Sequence, residues 1–154
     1  TIIEKLFSLF KPDHVFFGKK DYQQLILIKK FISDKNYKIC FHSVETVREQ
    51  NSLALSSRNS LLNSEAKKIA TTLFITLKEA ILELKKIHDI NQAESFAIKK
   101  LTSLGWSVDY VEIRRQADLL KPSTNDKSLV ILGAANYDGV RLIDNIEFCT
   151  DGTI

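Results

Sequence analysis

A chain of 154 residues that is 44% hydrophobic and 27% charged has a globular composition, with room for one domain or two small ones. Five Gly and two Pro exclude collagen-like and disordered chains, and the longest apolar runs, Leu25–Ile28 and Leu129–Leu132, are too short to span a bilayer. The 22 Lys and Arg against 19 Asp and Glu leave a net charge of +3, short of the concentrated positive stripe of a nucleic-acid binder.

Ile2, Ile3, Leu6, Phe7 and Phe10 follow helical spacing, and Pro12-Asp13 ends that helix. His14-Val15-Phe16-Phe17 reads as a short buried strand closing at Gly18, and Lys19–Tyr22 as a polar turn. Gln23–Ser33 is helical again, with Leu25, Ile28, Phe31 and Ile32 on one side. Tyr37–Val44 is β-branched and aromatic enough for a second strand. Strand, helix, strand in that order predicts a parallel pair with a right-handed crossover.

Glu45–Leu62 is polar and lacks a period, the mark of a functional or disordered loop. Asn63 is a good N-cap for a long helix over Ser64–Ile87, whose Glu65, Lys67, Lys68, Lys78, Glu79, Lys85 and Lys86 form a solvated face. A further helix is expected to start after Asn91 and to stop at Gly105, a suitable C′ residue, with Trp106 anchoring the helix–strand junction. Ser107–Arg114 alternates as a strand with Val108, Tyr110 and Ile113 inward. Ser128–Ala135 and Val140–Ile143 are two more strands, and Asp138-Gly139 signals a hairpin between them. The pattern changes near residue 62. The expected fold class is α/β: part of a parallel α/β layer over 1–62, then a small α+β domain with an antiparallel sheet over 63–154.

Cys40 and Cys149 match no metal or CxxC spacing and are expected as free thiols in a reducing, cytoplasmic setting. His14, His42 and His88 form no i, i+3 or i+4 pair and are expected to pack or to be satisfied locally, so no metal ligand is assigned. The first five residues lack the features of a signal peptide. With no initiator Met, the sequence reads as a processed chain or as a piece of a longer one.

Two clusters could carry chemistry. Gly18-Lys19-Lys20-Asp21-Tyr22-Gln23-Gln24 lies at the carboxyl end of a strand and the start of a helix, where open parallel sheets bind ligands and helix N-termini receive anions. Gly18 admits a close ligand, Lys20 suits a phosphate, Asp21 suits ribose hydroxyls, and Gln24 is one turn further on. Ser56-Ser57-Arg58-Asn59 sets two hydroxyls beside a planar fork of donors, which suits a polyphosphate. Without a ligand, the first cluster is a charged turn and the second an ordinary capping segment.

Read in order, Phe17-Gly18-Lys19-Lys20-Asp21-Tyr22-Gln23-Gln24-Leu25, Thr46-Val47-Arg48-Glu49, Leu53–Asn59 and Val140–Asn145 together resemble the pantothenate synthetase (pantoate–β-alanine ligase) family, from about Thr1 to Phe148. The resemblance implies that 1–62 are the carboxyl-terminal part of a Rossmann-like nucleotide-binding domain, including its KMSKS-type loop, and 63–154 a small α+β lid domain, in a ligase that condenses pantoate with β-alanine through a pantoyl adenylate, using ATP and Mg²⁺ and releasing AMP and pyrophosphate. It implies Lys20 on an ATP phosphate, Asp21 and the Gly18 backbone on ribose, Gln24 on pantoate and the Val47 backbone at adenine. Ser56, Ser57 and Arg58 look like the KMSKS-type loop on the phosphates, with Lys20 and these three as the catalytic set.

A homodimer with no membrane or nucleic-acid partner is also implied. Asn51-Ser52 stands where the family usually has Asp-Gly. The family's His-x-Gly-His-type motif is absent, so the chain resembles the carboxyl-terminal portion and Mg²⁺ ligands are expected mainly from phosphates and the other half. The alternative is a non-catalytic fragment or dimerisation module that keeps the fold. RNA binding lacks the aromatic platforms and motifs it requires.

Overall fold

The computed structural model describes residues 2–150. They form two compact units, divided between Glu45 and Thr46. This division lies upstream of the change near residue 62, because the segment after Glu45 packs with the helices and sheet downstream of it: Leu53 and Leu62 belong to the core of the second unit.

In the first unit, α1 (Ile2–Phe10), β1 (His14–Gly18), α2 (Tyr22–Asp34) and β2 (Cys40–Val44) follow one another, with a single 3₁₀ turn over Lys19–Asp21. β1 and β2 pair in parallel, His14 opposite Cys40 and Gly18 opposite Val44. The crossover is therefore the expected strand–helix–strand unit. The second strand starts three residues later than the pattern suggests, at Cys40. Tyr37 instead packs its ring edge-on against Phe7 and beside Phe31. Phe7, Val15, Ile28 and Ile32 make the small core. His14 and His42 share a ring-to-ring hydrogen bond of 3.0 Å on the exposed sheet face, and His42 stacks on Phe16. Both histidines are thus satisfied locally, and Cys40 and Cys149 are free thiols.

The second unit packs α3 (Ser64–Ile87) and α4 (Ile90–Ser103) on an antiparallel sheet ordered β3 (Ser107–Arg115), β4 (Ser128–Tyr137), β5 (Val140–Cys149). Asn63 caps α3 as expected, its Oδ1 accepting from the Ala66 N–H at 2.8 Å. α4, by contrast, begins at Asp89 rather than after Asn91. Starting earlier lets the Asp89 carboxylate accept from both the backbone N–H and the side-chain amide of Gln92, two bonds from one residue onto the capping side chain. Its carboxyl is held below the ordinary value chiefly by the Gln92 N–H.

Gly105, at φ +87°, ends α4: its N–H bonds to Thr102 O while Trp106 N–H reaches Leu101 O, the paired bonds of a left-handed C-terminal cap. Trp106 is buried there with its Nε1–H on Thr72 Oγ1. In β3 the pairing register shifts between Val108 and Tyr110, so the inward set moves to Val111 and Ile113 and Tyr110 leaves the predicted core. β4 and β5 run longer than expected and close through Asp138 and Gly139, both at positive φ, as a two-residue hairpin requires. Among the described residues no helix is long and apolar enough to cross a membrane.

β3 is an edge strand, and Glu94 of α4 covers part of it by accepting from the Ile113 N–H at 2.7 Å. Burial pushes the Glu94 carboxyl above its ordinary 4.5, a shift opposed by that N–H and by Arg114. A carboxyl raised in the folded state withdraws stability as pH climbs past 4.5, and the loss is complete above its folded value. Glu94→Gln keeps an acceptor for Ile113 but does not titrate. Its stability relative to the parent is therefore expected to improve between about pH 4 and pH 7 in urea titrations. A difference that is flat, or falls with pH, would contradict this account of Glu94.

Candidate functional site

The first cluster sits where the sequence places it, at the carboxyl end of β1 and the start of α2. Gly18 has φ −72° and ψ 135°, ordinary extended backbone, and a Cβ built on it would meet nothing within 4 Å. Neither the dihedral angles nor the packing of the described residues demands glycine there.

Asp21 occupies the N-cap position of α2, yet its side chain makes no capping hydrogen bond and is exposed. Lys19 is tied to Glu45 at 2.5 Å, which joins the turn after β1 to the end of β2. Lys20 is half-buried on the same turn, and Gln24 is exposed one helical step after it. Gly18, Lys20, Asp21 and Gln24 are thus brought together in one unit.

The second cluster is built from the segment read as an unpatterned loop. Residues 47–55 fold back as a miniature hairpin: Glu49 N–H bonds Leu53 O at 2.8 Å, Leu55 N–H bonds Val47 O at 2.9 Å, and Arg48 bridges Ala54. The tip is a turn closed by Ser52 N–H on Glu49 O, with Ser52 at φ +74°. Three-residue hairpin loops place their last residue in that left-handed region, where glycine fits without cost. The Asn51-Ser52 departure therefore has a structural consequence. Ser52 takes a conformation unfavourable to a side chain, while Asn51 Oδ1 supports the turn by accepting from Leu53 N–H. Ser52→Gly is expected to stabilise the second unit by about 0.5–1 kcal/mol, the left-handed cost removed less the entropy added to the unfolded chain. Urea unfolding followed by the fluorescence of Trp106, the single tryptophan, measures it. A destabilised variant would mean that the Ser52 side chain contributes more than its backbone costs.

A short 3₁₀ helix, Ser57–Leu61, follows. Ser56 caps it, Oγ accepting from the Arg58 N–H at 3.2 Å. Ser57 and Arg58 are exposed, and among the described residues the Arg58 guanidinium has no ion-pair partner. Val47 is exposed, with its carbonyl taken by Leu55. Asn59, next to Arg58, is buried, and its Nδ2 donates to Glu49 Oε1 and Ala54 O, both at 3.1 Å. Val47, Ser56, Ser57 and Arg58 thus share one folded segment.

Sequence reasoning assigned no role to the group that anchors this segment. Arg48 forms a two-pronged ion pair with Asp144 of β5, Nη1 to Oδ2 and Nη2 to Oδ1, both 2.7 Å. The guanidinium lies 3.7 Å over the Phe74 ring of α3, and Nη1 also donates to Ser52 O at 3.1 Å. Both residues fall inside the quoted motifs, but a separation of 96 residues hides the pairing. Among the described residues no three His, Cys, Asp or Glu side chains converge where a metal ion could sit.

A family pattern described as pantoate-beta-alanine ligase matches residues 1–147. The chain is 43% identical over 154 residues to the pantothenate synthetase of Methylococcus capsulatus, covering 99% of this chain and 54% of that protein. It is 44% identical over 149 residues to that of Neisseria meningitidis serogroup B, covering 96% and 53%. The solved pantoate-beta-alanine ligase of Thermus thermophilus superposes with a TM-score of 0.83 at 33% identity, over 95% of this chain and 53% of that one. The Francisella tularensis enzyme, solved with a β,γ-ATP ligand and β-alanine, gives 0.66 at 28% identity, over 94% and 47%. The chain spans about half the length of the curated relatives it matches.

Proposed function

The chain belongs to the pantoate-beta-alanine ligase family, and from that premise we propose that it contributes the nucleotide-side groups of a ligase joining pantoate to β-alanine. In this proposal residues 1–62 act as the carboxyl-terminal part of the nucleotide-binding domain, with its KMSKS-type loop in the stretch that folds with the second unit, and 63–154 act as the small lid domain.

In the proposed reaction a pantoate carboxylate oxygen attacks the α-phosphorus of ATP. The bond to the bridging oxygen breaks, and pyrophosphate departs. The free amine of β-alanine then attacks the carbonyl of pantoyl adenylate, AMP leaves, and the nitrogen gives up a proton. In-line transfer at phosphorus asks the protein for positioning and for neutralisation of developing negative charge. From the first unit, Lys20 neutralises phosphate, the Gly18 backbone and the Asp21 carboxylate hold ribose, and Gln24 holds pantoate. From the second, the Val47 backbone meets adenine, and Ser56, Ser57 and Arg58 donate to the phosphates. Ser56 can donate its hydroxyl proton while its oxygen still caps the 3₁₀ helix.

The observation that carries this reading is the match over residues 1–147. The uncapped carboxylate of Asp21 and the open space at Gly18 support it on the nucleotide side. The proposal is tested by pantoate-dependent exchange of pyrophosphate into ATP. The chain is assayed alone and then reconstituted with the half of the Methylococcus capsulatus relative that it does not span. Exchange is expected only in the reconstituted ligase, since one set of groups does not hold pantoate and ATP in reacting geometry. A stable reconstituted complex with no exchange would overturn the proposal, and so would turnover by the chain alone at an intact ligase's rate.

A further inference from the structure

We propose that Arg48, seated on Asp144, is the positioning residue of the nucleotide-side loop: it sets the geometry of Val47 and of Ser56-Ser57-Arg58 without touching substrate itself. This deepens the ligase reading and rests on it for what the loop binds. The anchoring is a property of the chain alone.

Arg48 meets three separate parts of the second unit. Asp144, which is 5% exposed, takes both prongs of the guanidinium at 2.7 Å. The Asp144 Oδ1 also accepts from the Asn145 N–H at 2.8 Å, which holds the carboxylate plane in place on β5. Phe74 of α3 lies under the guanidinium face at 3.7 Å. Ser52 O, at the strained tip of the miniature hairpin, accepts the third hydrogen bond at 3.1 Å. A planar fork does all of this at once, whereas a lysine ammonium offers neither two parallel donors nor a face to stack.

The constraint continues to Arg58 through hydrogen bonds. Arg48 is bridged to Ala54. The neighbour of Arg48, Glu49, and the Ala54 carbonyl both receive the buried Asn59 amide. Asn59 adjoins Arg58, and the Arg58 N–H is held by Ser56 Oγ. The 3₁₀ helix is also held by its own Asn59 N–H to Ser56 O bond and by Leu62 in the core; what this chain of contacts adds is the tie between the Arg58 backbone and the miniature hairpin. Preorganised donors stabilise transition-state charge only where their direction is set before reaction.

The test uses Arg48→Lys, which keeps the charge and loses the fork, so that the core of α3, α4 and the sheet stays folded. Hydrogen exchange on the full chain is expected to lose at least about tenfold protection at the Glu49 and Leu55 amides, with the β4–β5 amides unchanged. Unchanged protection over 46–62, or equal loss throughout the second unit, would overturn the assignment. In the reconstituted ligase, Arg48→Lys is expected to slow pyrophosphate exchange at least about tenfold when Arg58 is present and by clearly less in an Arg58→Ala background, where only the placement of Val47, Ser56 and Ser57 is left to lose. Effects that multiply would show Arg48 acting independently of Arg58 and defeat the proposal. If Arg58→Ala itself leaves exchange intact, the phosphate role of the loop fails instead, while the exchange of the Glu49 and Leu55 amides still decides whether Arg48 orders it.

Discussion

Lys20→Ala and Arg58→Ala are each expected to slow pantoate-dependent pyrophosphate exchange in the reconstituted ligase by about 10²–10³, the loss typical of a preorganised donor aimed at developing charge. The two cations come from different units, one on the turn after β1 and the other on the 3₁₀ helix before α3. Neither substitution touches a core residue: Lys20 is half-buried on a turn and Arg58 is exposed. Unfolding curves of both variants should therefore match the parent while exchange falls. The neighbour Lys19 is the internal control. Its ammonium is committed to Glu45, so Lys19→Ala should cost much less than Lys20→Ala. An effect below about threefold for both Lys20→Ala and Arg58→Ala, with binding of the other half intact, would remove these residues from the phosphate site.

The largest effect on stability is expected at Asp144. Asp144→Ala strips a two-pronged partner from Arg48 and leaves a mostly buried guanidinium facing Phe74 and one carbonyl. Breaking such a pair from one side costs about 3 kcal/mol, because the remaining charge keeps its desolvation penalty without its compensation. Urea unfolding read by Trp106 measures this in the second unit. The double variant Arg48→Ala, Asp144→Ala is expected to be less destabilised than the sum of the single ones by about 2 kcal/mol, which isolates the pair from the packing around it. Additive single effects would mean that the contact contributes little and that the loop is held by its own hydrogen bonds.

The open space at Gly18 and the positive φ of Ser52 belong together as signs of where this sequence departs from what its own packing requires. At Gly18 a side chain is missing although the backbone would accept one. At Ser52 a side chain is present although the backbone disfavours one. The first fits the proposed nucleotide site, where a side chain would stand in the way of a closely approaching ligand. The second is tolerated because Arg48 and Asn51 hold the turn from both sides.

What the sequence alone determined was set by neighbours in the chain. Asn63 and an unbroken apolar period delimited α3 over Ser64–Ile87, and Asp138-Gly139 placed the β4–β5 hairpin, since a cap or a two-residue turn needs only adjacent residues. The order of short motifs from Phe17 to Asn145 carried the family for the same reason. The tertiary structure decided what depends on distant partners. The register shift after Val108, in the pairing of β3 with β4, handed the core position of Tyr110 to Val111. The segment after Glu45 gained its form from Asp144 and Phe74, which lie far along the chain. No local period announces such a segment, because its order comes from one guanidinium, a few hydrogen bonds and the isolated apolar anchors Leu53 and Leu62 rather than from a repeating apolar face.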